Sequence, residues 1–184
     1  MAHISEFANN SHQIQAEEFL LEVGRFAVAF ERVCEAMRNS IIYIFQSEGL
    51  QHQGLSQVII GDKASAELQV LLGALFSELR AKHDDDDRKI VQILLVEVMS
   101  LTEQRNVVLH SAWRFGKNDA FAELYATSIR PRTKQKKGAV PELHGLSASY
   151  LRDLTKQATA VQAKLQKLQY CLAQSGFKVS VELK

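Results

Sequence analysis

Ile90-Val91-Gln92-Ile93-Leu94-Leu95-Val96-Glu97-Val98-Met99-Ser100-Leu101 runs straight into Thr102-Glu103-Gln104-Arg105-Asn106-Val107-Val108-Leu109-His110, and this stretch decides the fold. From Ile90 to Leu101 apolar side chains occupy almost every position, too many for one face of a surface helix. A helix that is apolar nearly all round belongs at the centre of a helical protein. The spacing predicts this helix over about 86–111. Asp84 to Asp87 stand at its start, where carboxylates accept from unpaired backbone amides and suit the positive end of the helix dipole. Its far end turns polar at Thr102 and closes on Arg105, Asn106 and His110.

Working outward, the preceding sequence reads as helix with short breaks. Phe19, Val23, Phe26, Phe30, Val33, Met37, Ile41 and Ile44 recur in steps of three and four and predict one long helix ending near Ser47, with Glu48-Gly49 as its C-cap. Gly24 inside it is expected to mark a close helix contact. Gln51 to Gln57 reads as a loop, and a second helix is expected from Lys63 to Lys82. Both prolines, Pro131 and Pro141, lie between Gly116 and Leu146. Proline breaks helix interiors, so this segment is expected to be non-helical: a β-hairpin with strands over 121–129 and 139–143. Ser147 is a good N-cap for a last helix, along which Leu151, Leu154, Ala158, Val161, Leu165, Leu168 and Leu172 form a heptad seam. Packing against the first helix and a homodimer seam both use that spacing. Alternation from Phe177 to Lys184 predicts a terminal strand.

The fold class expected is therefore mostly α: an antiparallel bundle of about four long helices with a small β-hairpin between the third and last. It would form one domain over 1–184, with 116–146 as a basic insertion. At 184 residues the chain can bury one good core. No run of about 18 apolar residues exists, so no membrane span is expected, and the N-terminus lacks a secretory pattern. A cytoplasmic protein is expected, with Cys34 and Cys171 as buried thiols. The histidines show no metal-ligand spacing, and no metal or cofactor is expected. The net charge of +1 hides an asymmetry. Between Arg114 and Gly138 seven cations face two carboxylates, as a polyanion-binding surface requires.

The end of the central helix carries the chemistry. Arg105 supplies a planar, permanently charged fork matched to phosphate oxygens. Histidine is the side chain best suited to proton transfer near neutral pH, and His110 supplies one here. Asn106, four residues before His110, is placed to hydrogen-bond and orient the imidazole. Glu103 joins them as a supporting residue on the same polar stripe. Such a set suits RNA cleavage by attack of a 2′-hydroxyl on the adjacent phosphorus, a reaction that His and Arg can run without a metal. Arg114, Lys117, Arg130, Arg132 and Lys134 would contact the RNA backbone.

Arg105-Asn106-Val107-Val108-Leu109-His110 resembles the motif of the HEPN superfamily: Arg, a polar residue, and His after four intervening residues. The similarity extends to His110-Ser111-Ala112-Trp113, the basic segment, and Leu146-Ser147 opening a heptad-rich last helix. The resemblance implies a small helical domain acting as a metal-independent endoribonuclease, as toxins, phage-defence and RNA-processing proteins of that kind do. It further implies a homodimer in which two motifs form one composite site, and a possible antitoxin or other partner protein. It carries roles onto Arg105, Asn106 and His110 only. The alternative is a non-catalytic helical module that binds RNA, a nucleotide or a partner protein.

Overall fold

The computed structural model describes residues 10–79, 83–110, 113–116, 125–134, 138–173 and 178–183, and of 10–12 and 114–144, Trp113 aside, the backbone alone. The described chain is mostly helical. Its order is α1 (Asn10–Ser47), α2 (Gln53–Ile60), α3 (Ser65–Glu78), α4 (Asp85–His110), β1 (Trp113–Gly116), β2 (Tyr125–Lys134), β3 (Gly138–Leu146), α5 (Ala148–Ala173) and α6 (Val179–Glu182). Among the described residues no helix is long and apolar enough to cross a membrane. The chain divides into two compact units. The first holds Met1–Val28 and Gln104–Lys156, the second Ala29–Glu103 and Gln157–Lys184.

In the first unit, Phe19 and Phe26 of α1, Val108 of α4, and Leu151 and Leu154 of α5 are buried. Glu22, only 2% exposed, is the polar tie. It accepts from Arg25 Nη1 at 2.7 Å and from Arg152 Nε at 3.2 Å, while Arg152 also pairs with Glu18. A carboxylate buried to this degree must be paired to persist. Ser147 Oγ accepts from the Tyr150 amide at 3.2 Å and caps α5.

In the second unit, α1 contributes Phe30, Val33, Met37, Ile41 and Ile44 to the core, α3 Leu68, Leu72 and Phe76, and α5 Leu165 and Leu168. α3 and α4 run antiparallel. Gln69 Nε2 donates to Leu95 O at 2.9 Å near one end, and Phe76 stacks on His83 near the other, ring centroids 4.7 Å apart. Gln169 Nε2 donates to Ala36 O at 2.7 Å, tying α5 to α1, and Lys164 bonds Glu97 of α4 at 2.6 Å. The α5 heptad positions from Leu151 to Leu168 are buried within the chain, so the seam is intramolecular. At its end the buried residue is Cys171, with Leu172 only half-buried. Cys34 is buried too, and both thiols are free.

Asp84 caps α4, its Oδ1 accepting from the amides of Asp86 at 3.1 Å and Asp87 at 3.0 Å. Asp87 is buried and fully engaged: Oδ1 accepts from the Ser180 amide at 2.7 Å, and Oδ2 lies 3.2 Å from His83 Nδ1. Lys178 Nζ reaches Asp84 at 3.1 Å. The start of α4 thus holds the C-terminal segment.

Several expectations are corrected. Residues 53–60 form helix α2 rather than continuing a loop, because His52 Nδ1 accepts from the Leu55 amide at 3.1 Å and caps it. The terminal segment is a helical turn, not a strand. Val179 and Ser180 are buried in succession, which an alternating strand cannot do, and Asp87 takes the Ser180 amide. The strands differ in extent from the expected 121–129 and 139–143: β2 and β3 pair over 125–134 and 138–146, and β1 pairs with β2 on its other edge, giving the antiparallel order β1-β2-β3 with Trp113 opposite Ser128 and Arg130 opposite Glu142. Phe121 to Leu124, expected in the first strand, lie outside the described residues. α4 is not buried all round, since Ile93, Val96 and Met99 are exposed. Gly24 marks no close contact, because a Cβ added there meets nothing within 4 Å.

Gly24→Ala removes the helix cost of glycine without a clash and stabilises the protein by about 1 kcal/mol, read as a rise in Tm of about 2–4 °C. The Asp87 amide, with Lys178 next, holds the Asp84 carboxyl below its ordinary value of 3.8. A lowered carboxyl contributes stability above that value and loses it as pH falls through the folded one. Thermal melts of Asp84→Ala against the native chain should show a gap at pH 7 that narrows below pH 3.8.

Candidate active site

The last two turns of α4 lie in the first unit, from Gln104 onward. Arg105 stands three residues before Val108, a buried position, and so shares its side of the helix. This placement explains why Arg105 Nε is buried and has no protein partner. The rest of the guanidinium turns outward. Nη1 lies 2.8 Å from His110 Nε2 and 3.3 Å from Asn106 Oδ1. A guanidinium can only donate, so Nε2 is the accepting nitrogen and a neutral His110 carries its proton on Nδ1. His110 itself is exposed.

The structure brings these three residues together: Arg105 Nη1 bonds both Asn106 Oδ1 and His110 Nε2. Asn106 thus positions the fork, and the fork faces the imidazole. Glu103 stands exposed on α4 in the second unit.

Two contributors were not legible as such. Trp113 Nε1 donates to Val108 O at 2.7 Å, taking one of the carbonyls left open at the end of α4. Its ring meets Phe19 of α1 edge-on, centroids 5.6 Å apart. The only sequence signal was an aromatic three residues beyond the motif. Tyr150 OH donates to Gln104 Oε1 at 3.0 Å, across 46 residues, and no local pattern announces that bond. Of the predicted RNA-contacting cations, Arg114 stands on β1 opposite Thr127, and Arg130, Arg132 and Lys134 fall at alternate positions of β2. Lys117 lies outside the described residues.

Compared with family models, with curated proteins and with solved structures, the chain matches none.

Nitrogen-detected NMR of His110 tests the geometry. The neutral ring should be the Nδ1–H tautomer, and Arg105→Ala should move it toward the ordinary mixture of tautomers; an Nε2–H tautomer in the native chain contradicts the contact.

Proposed function

We propose that this protein is a metal-independent endoribonuclease of the HEPN kind. The observation that supports this reading best is the 2.8 Å contact between Arg105 Nη1 and His110 Nε2 beside an exposed imidazole. It sets a phosphate-binding fork and a proton acceptor side by side. When RNA enters, the guanidinium turns from His110 to the non-bridging phosphate oxygens. Nε2 is then open to take the 2′-hydroxyl proton. The 2′-oxygen bonds phosphorus, the bond to the 5′-oxygen breaks, the departing oxygen takes a proton from water while His110 releases its own to solvent, and the products are a 2′,3′-cyclic phosphate and a 5′-hydroxyl. Arg105 stabilises the charge that develops on the phosphoryl oxygens, and Asn106 steadies the fork.

Arg114, Lys117, Arg130, Arg132 and Lys134 would hold the RNA backbone, in a mostly α fold of antiparallel helices. A cytoplasmic setting, a second copy of the chain and a restraining partner such as an antitoxin go with this reading, as does a toxin, phage-defence or RNA-processing role. The second reading is a helical module that binds RNA, a nucleotide or a protein without cutting. The observation favouring it is the same contact, because a guanidinium already engaged by an imidazole is also a satisfied structural pair.

Incubating purified protein with RNA in EDTA separates the two. Cleavage with 2′,3′-cyclic phosphate ends is expected. It should fall by a factor of about 10² to 10⁴ in His110→Ala, with the helical circular dichroism unchanged. Salt-sensitive RNA binding without product by the native chain would support the module instead.

A further inference from the structure

The contact between Arg105 and His110 joins two residues that are held in place very differently. Arg105 is fixed near its root: its Nε is buried, and its Nη1 also donates to Asn106 Oδ1 at 3.3 Å. His110 is exposed and is the last residue of α4. Among the described residues, Arg105 is the bonding partner of its ring. Packing around the side chain therefore does not place the imidazole, and the backbone of the last turn must. The carbonyls of that turn lack the amides that a longer helix would supply, and helix ends of this kind fray.

The two residues stand five apart, about 7.5 Å along the axis. Uncoiling of the last turn would carry His110 away from a fork that stays where it is. Trp113 opposes this. Its Nε1 donates to Val108 O at 2.7 Å, two residues before His110. Val108 is buried, and the Trp113 ring is braced edge-on by Phe19, buried in α1. The indole N–H can only donate, and it pins the turn from outside the helix. The bond of Tyr150 to Gln104 reaches α4 one residue before Arg105, so it does not constrain the spacing from Arg105 to His110. The Trp113 bond falls between the two.

We infer that Trp113 is a positioning residue: its indole N–H holds the last turn of α4 and so sets the distance from the His110 imidazole to the Arg105 guanidinium. It acts through the backbone of Val108. Its effect on cleavage rests on the ribonuclease reading, whereas its effect on the contact between His110 and Arg105 does not. Misplacing a reacting group by about 1 Å can cost about a hundredfold in rate, so loss of the N–H falls on kcat rather than on RNA binding.

The test removes the donor and keeps an aromatic ring against Phe19. In the full chain, Trp113 is replaced by its benzothienyl isostere, with sulfur in place of the N–H, and separately by phenylalanine as Trp113→Phe. In both, nitrogen-detected NMR should show His110 moving from the Nδ1–H tautomer toward the ordinary mixture, with the helical circular dichroism unchanged. In EDTA, kcat for RNA cleavage should fall by about 10- to 100-fold, with KM within about twofold. The isostere decides the matter where Trp113→Phe fails to fold. A folded isostere protein that keeps the native tautomer and the native kcat overturns the inference, and so does a native chain without the Nδ1–H tautomer. An unmoved tautomer with a lowered kcat also overturns it, because Trp113 would then act on RNA rather than through the backbone. If the native chain cuts no RNA, a tautomer that moves in the isostere protein upholds the positioning role while the ribonuclease reading falls.

Discussion

A helix of 26 residues leaves four amides open at one end and four carbonyls at the other, and the way α4 satisfies them shapes the rest of this protein. At its start Asp84 takes two amides, and Asp87, three residues on, is buried with its own demands. Asp87 meets them with His83 and with the Ser180 amide, so that capping one helix fixes the C-terminal turn. At the other end Trp113 takes the Val108 carbonyl. The same turns carry Arg105 and His110. The candidate site therefore stands where a long helix stops and its backbone is tied by a side chain rather than by more helix.

Local physics made the long helices readable. α1 carries apolar residues at a helical period over nearly its whole length, and Gly49 ends it with φ +99°, a conformation that glycine adopts freely. The heptad of α5 is long enough to fix its period and its buried face, and Ser147 caps it as its side chain suggests. The Arg105–His110 pair was legible because motif spacing and helix geometry put both at the same end of α4. The spacing pointed to Asn106 as the partner of His110; it did not show that the Arg105 side chain is long enough to bond both.

The remainder was hidden for identifiable reasons. α2 is eight residues long, too short for a period, and depends on a histidine cap that resembles an ordinary loop residue. The alternation in 177–184 spans too few residues to separate a strand from a turn whose amide is captured by Asp87, some ninety positions away. Continuous apolarity in α4 implied burial on every side. The structure covers one face and leaves Ile93, Val96 and Met99 exposed, because hydrophobicity alone does not distinguish a face covered by the same chain from one that is not.

The central claim is that Arg105 and His110 form a site for cleaving RNA through its own 2′-hydroxyl. The most direct measurement is cleavage, in EDTA, of an RNA oligonucleotide beside the same oligonucleotide carrying a 2′-deoxy residue at the mapped cut. The account predicts that the RNA is cut to a 2′,3′-cyclic phosphate and that the substituted strand is not cut at that position. Equal cutting of both strands, or of neither, contradicts it.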